Sequence, residues 1–198
     1  MTGQRSERLP RAQRREQILA AATTAFARAG FAATSLDDVA HEAGISRMIV
    51  YRHFDSKRDL YRQALERIGD LIAVAAQAEK IDISTLHAFI AAAAAEPDGF
   101  RLLFRHAARE PEFRAEVEEL RRGMASATHE QIAGRIDDPV WATWAANCIP
   151  LVLSETIMAW LDAGQPDPES ISDRVRHALN GVIEAAGGNL DGDGSSEG

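Results

Sequence analysis

Apolar residues recur along this chain at three- and four-residue spacing, and nowhere do they alternate in the β-branched runs of a half-buried strand. That pattern restricts the chain to an all-α packing of amphipathic helices. Glycine, proline and capping residues then divide it. A first helix is expected over about Arg11–Ala29, with Ile18, Leu19, Ala22, Ala25, Phe26 and Ala29 on one face and Gly30 as its C-cap. Ser35 caps a second helix, with Asp38 three residues on as in a capping box. Leu36, Val39, Ala40 and Ala43 face inward, and Gly44 stops it. Ser46 is read as the cap of a short third helix from Arg47 to about His53. Ser56 and Asp59 repeat the capping pattern for a fourth, about Lys57–Gln77.

Further on, Ser84–Ala95 is apolar on nearly every side and reads as a buried helix. Pro97 and Pro111 open two more, the second running over about Glu112–Arg135 with a bend near Gly123. Pro139–Ala163 carries all three tryptophans and should kink or split at Pro150. Pro168–Ala186 is the last helix, with the stripe Ile171, Val175, Ala178, Leu179, Val182, Ile183. Residues 1–10 and 187–198 read as flexible tails.

The formal charge of −8 argues against a nucleic-acid partner until it is resolved along the chain. Residues 1–67 hold 12 Lys+Arg against 8 Asp+Glu, a net of +4, whereas the remainder holds 10 against 22, a net of −12. A basic head on an acidic body is what results when only the head meets phosphate. No apolar run reaches the roughly 18 residues of a membrane span, and nothing resembles a signal peptide. One cysteine, Cys148, forms no intramolecular disulfide. The expected location is cytoplasmic.

The informative segment is TSLDDVAHEAGISRMIVYRHFDSKRDL, from Thr34 to Leu60. It reads as helix, tight turn at Gly44, helix. A helix-turn-helix needs a turn residue free to take positive φ and a small residue where the helices cross, here Gly44 and Ala40. Ile45 and Val50 would plug the core between them. The third helix would present Arg47, Met48, Ile49, Tyr51, Arg52 and His53 outward, long donors mixed with apolar groups suited to phosphates, base edges and thymine methyls.

With the apolar first helix, the Ala-Gly-Ile-Ser turn, Tyr51-Arg52-His53-Phe54 and Ser56-Lys57 followed by Leu60, the first third of the chain resembles the TetR family of repressors. The resemblance implies a three-helix DNA-binding domain, residues 11–56, followed by a helical effector-binding and dimerisation domain, residues 57–186. It implies that Ser35, Tyr51, His53 and Lys57 contact phosphate, that Arg47, Met48 and Ile49 approach base edges, and that Phe54 is core. Many members have Gly or Pro, then Thr, where this chain has Met48 and Ile49, which would pack on thymine methyls and not hydrogen-bond to bases, so the resemblance leaves the operator sequence open. The resemblance further implies a homodimer through the last two helices, a palindromic operator and an apolar small-molecule effector. Candidate cavity residues are Phe89, Phe100, Phe104, Met124, Trp141, Trp144 and Cys148, with His87, His106, Asn147 and Glu155 as polar anchors. No phosphate loop, metal-spaced cluster or nucleophile signature points to an enzyme or a cofactor. The remaining alternative is a DNA-binding adaptor of the same fold without an effector.

Overall fold

Capping chemistry decides where the helices of the head begin and end. In the computed structural model, which describes residues 9–75 and 83–189, α1 spans Arg11–Ala33, α2 Leu36–Glu42, α3 Arg47–Tyr51 and α4 Lys57–Ala75. Ser35 and Asp38 form a reciprocal capping box at α2. The turn after α2 is a Schellman motif: Gly44 sits at φ +64°, its N–H reaches the His41 carbonyl, and the Ile45 N–H reaches the Ala40 carbonyl. The expected cap at Ser46 does not form, because its side chain makes no cap hydrogen bond. At α4, Ser56 Oγ accepts from the Asp59 N–H at 3.0 Å. Gly30 does not end α1 as expected. It breaks the helix with φ +78° and ψ 171°, and a further turn follows to Ala33.

The body holds α5 (Ile83–Ala95), α6 (Pro97–Arg101), α7 (Arg114–Gln131), α8 (Pro139–Asp162) and α9 (Ile171–Ala185). Between α6 and α7 the chain is irregular: a π turn over Leu102–His106, then 3-10 turns over Ala107–Arg109 and Pro111–Phe113. Among the described residues there is no strand. The expected split at Pro150 does not occur, and α8 runs unbroken through it. Likewise α7 runs on through Gly123. Gly187, Gly188 and Asn189, expected in a tail, are held: Gly188 N–H closes α9 on the Ile183 carbonyl, and Asn189 N–H reaches the Arg135 carbonyl. The arm over 1–8, the end of α4 beyond 75 and the tail from 190 lie outside the described residues.

The head's core does not stop at α4. Ile18, Leu19, Phe26, Val39, Val50, Phe54, Leu60 and Tyr61 pack in one cluster with Leu102, Leu103, Ala107, Phe113 and Val117 of the body. Burial of each such side chain contributes roughly 1.5–3 kcal/mol. A second cluster joins α5, α6, α8 and α9 around Phe89, Phe100, Ile157 and Val175. Phe104 and Ile72 touch both clusters, so head and body share continuous packing.

Candidate nucleic-acid interface

α3 is short, and its side chains divide by helical position. Val50 is fully buried and, with Phe54, locks the helix onto the core, as expected for Phe54. Met48 stands out at 73% exposure and Tyr51 at 48%. Ile49, expected at base edges, instead packs half-buried against the core. Arg47 is exposed and held in place: its guanidinium pairs with Asp37 of α2 at 2.7 Å and donates to Tyr51 Oη at 2.9 Å. The pair fixes the donor's direction more than it stabilises the fold, since exposed ion pairs contribute little.

Ser35, Arg47, Tyr51 and Lys57, four of the residues singled out in the sequence, line one open groove with Ala32, Thr34, Asp55 and Ser56, with a volume of about 530 Å³. Two of them have internal partners, and only the first of these was legible in the sequence. Ser35 Oγ accepts from the Asp38 N–H at 3.1 Å and donates to the Asp38 carboxylate at 2.6 Å, which holds that carboxyl below the usual range. Lys57 Nζ, expected on phosphate, reaches the carbonyls of Phe31 at 2.8 Å and Thr34 at 3.0 Å and lies 4.4 Å from the centre of the Phe31 ring. It thus caps the last turn of α1, where carbonyls lack helical partners.

The opposite flank of α3 holds a group that sequence reading underrated. His53 is half-buried, and its Nδ1 has no hydrogen-bond partner among the described residues. Burial pushes its pKa down, and Arg11, Arg52, Arg14 and Arg15 push it further the same way. Four arginines therefore surround one imidazole. The Arg15 guanidinium lies 5.2 Å from the Phe54 ring centre, which ties α1 to the end of α3. The first turn of α1 has no acidic residue, so Arg11, Arg14 and Arg15 stand near the positive end of its dipole, an arrangement unfavourable for the helix and suited to a polyanion. In the sequence these arginines count toward the basic head, but nothing there places them beside His53.

The expected effector residues do not converge on one cavity. Phe89 and Phe100 are buried core. Phe104, Met124 and Glu155 line a narrow cleft with Leu103, Ala108, Val117, Leu120, Arg121, Leu151 and Ser154, of about 50 Å³. That volume holds a water molecule or two. Trp141 and Trp144 are exposed and pack edge-to-face on each other, with Val140 and Leu151 exposed on the same helix. Cys148 is half-buried on α8. His87, Asn147 and Glu155 are exposed, and His106 lies at the head–body joint near Gly30. α8 has the length and hydropathy of a membrane span, contrary to the sequence reading, but it packs between α7 and α9 with 44% of that window buried in the fold.

Comparison with known proteins agrees with this geometry. Residues 18–64 match the family described as bacterial regulatory proteins, tetR family. The chain is 32% identical over 197 residues to the HTH-type transcriptional activator FasR of Mycolicibacterium smegmatis, covering 94% of this chain and 87% of that protein. Its fold is similar to a TetR-like transcriptional regulator from Rhodococcus sp. RHA1, with a TM-score of 0.77 at 22% identity, covering 89% of this chain and 99% of that one. The fold is also similar to FadR from Bacillus subtilis in complex with stearoyl-CoA, with a TM-score of 0.63 at 18% identity, covering 85% of this chain and 97% of that one. An all-α chain with a capped helix-turn-helix head, alike over nearly its whole length to a TetR-type regulator, is a DNA-binding transcriptional regulator and not an enzyme: it belongs to the TetR family.

Proposed function

We propose that the chain binds a palindromic operator as a homodimer, with residues 11–56 reading DNA and residues 57–186 dimerising and receiving an apolar effector. The observation that carries this is the convergence of Ser35, Arg47, Tyr51 and Lys57 on one open groove beside exposed Met48. Arg47 is aimed at base edges, and Met48 meets thymine methyls. Tyr51, Arg52 and the arginines around His53 meet phosphates on either side of the recognition helix. The exposed Val140, Trp141, Trp144 and Leu151 face of α8 supports the dimer, since isologous pairing would cover it. Two heads would then stand about one DNA turn, roughly 34–36 Å, apart.

Repression, expected from the family resemblance, follows where the operator overlaps a promoter. The full-length relative FasR is named an activator, so operator position sets the sign. An effector must part α7 from α8 to enter the cleft. The narrowness of that cleft favours the second reading, a DNA-binding adaptor without an effector. Cytoplasmic chromosomal DNA is the target in either case.

Selection of bound fragments from the source genome tests the reading. The expected result is enrichment of an inverted repeat with half-site centres about 10 bp apart, with weakened sequence preference for Arg47→Ala. No enrichment over input by the unaltered chain would sink it. Release of the selected DNA by acyl or other apolar compounds separates effector-responsive regulator from adaptor.

A further inference from the structure

Just after the break at Gly30, the Phe31 amide finds an acceptor in the body. Glu110 Oε1 accepts from the Phe31 N–H at 3.1 Å, across 79 residues of sequence. On its other side, the Phe31 carbonyl takes Lys57 Nζ at the start of α4 at 2.8 Å, and its ring lies against that ammonium. An anion on the N–H and a cation on the C=O thus hold the two peptide units on either side of the Phe31 Cα by charge-assisted hydrogen bonds. Lys57 and Thr34, which Lys57 also holds, line the groove beside Arg47 and Tyr51.

Glu110 is placed by the irregular stretch between α6 and α7. It falls between two 3-10 turns, just beyond the π turn Leu102–His106. Such turns concentrate at functional positions, because they shift register by one residue. Leu103, Phe104 and Ala108 of the same stretch line the body's cleft. Two neighbouring ties, Arg58–Glu112 and Arg62–Glu116, are exposed and long at 3.7 and 3.5 Å, and a shorter one, Arg67–Glu96 at 2.7 Å, does not involve Phe31. Glu110 is half-buried, and its carboxylate lies in contact range of position 30, where a Cβ would stand 3.5 Å away.

We propose that Glu110 is a positioning residue for DNA binding: acting through Phe31 and Lys57, it sets the DNA-facing groove of the head against the body. This rests on reading that groove as the DNA-binding face.

The test uses the full chain and a labelled duplex carrying the selected operator, with Kd from fluorescence anisotropy and thermal unfolding alongside. E110A is expected to weaken binding about tenfold at temperatures well below its unfolding, the order of effect of leaving an amide unsatisfied. E110Q keeps an acceptor and is expected to bind within about twofold of the unaltered chain. The double variant with Lys57→Met is expected to bind no worse than Lys57→Met alone, because both act through Phe31. If E110A does not fold, Glu110→Met, of similar length without an acceptor, takes its place. A folded E110A that binds as the unaltered chain does, an E110Q as weak as E110A, or additive losses in the double variant would overturn the proposal while leaving the DNA-binding reading intact. Failure of the unaltered chain to bind takes down both.

Discussion

His53 shows what one residue gains from its surroundings. Burial first, then Arg11, Arg52, Arg14 and Arg15, lower its pKa, so the free protein carries it neutral near pH 7. Two consequences of opposite sign follow. The unfolded chain takes up a proton near the ordinary value of about 6.5 while the folded chain resists, so this group's contribution to stability is present above that pH and is lost as pH falls below it. A DNA phosphate laid over the arginine cluster offsets their charge and favours the imidazolium, so the complex binds more protons than the free protein. Affinity should therefore rise as pH drops from about 7.5 to about 6, and His53→Gln should flatten the dependence. Titration of Kd against pH at fixed salt checks this, and an unchanged profile in His53→Gln removes the linkage. Residue type and exposure were legible here, but partners were not. Lys57 looked like a phosphate ligand because its acceptors, the carbonyls of Phe31 and Thr34, lie more than 20 positions away in the chain.

At the scale of elements, legibility followed local chemistry. The α2–Gly44–α3 turn could be read because a serine cap, a small residue at the crossing and one glycine act within ten residues. The stretch over 102–113 could not. A π turn has no sequence signature, and Pro97 and Pro111 suggested two plain helices. Two glycines near the joint of α4 and α6 make a paired prediction. A Cβ at Gly99 would lie 2.3 Å from Ile68 Cδ1, and Ile68 is 1% exposed, whereas a Cβ at Gly69 would meet nothing within 4 Å. Gly99→Ala should destabilise by about 1–3 kcal/mol through overpacking. Gly69→Ala, in a helix interior, should stabilise by roughly 0.5–1 kcal/mol. Denaturant unfolding of the two variants decides it, and equal effects of one sign would refute the packing argument.

For the whole molecule, charge asymmetry along the sequence pointed to a head and a body, and the shared core qualifies that division. Leu102, Phe113 and Val117 pack into the same cluster as α1–α4, so the head is braced by the body and is not an appended module. Which apolar stripes cover one another within the chain was not legible, since periodicity marks a face without naming its partner. α8 illustrates this: it packs against α7 and α9, while Val140, Trp141 and Trp144 near its start stand exposed. That distribution makes the protein its own optical gauge. Trp160 is enclosed, with Nε1–H on the Pro166 carbonyl at 2.8 Å, so its surroundings are set within the chain. Trp141 and Trp144 are the remaining two of the three indoles and change surroundings only when that face is covered. If the proposed dimer covers that face, dilution that dissociates it should move the emission maximum to the red, and replacing both exposed tryptophans with phenylalanine should abolish the shift.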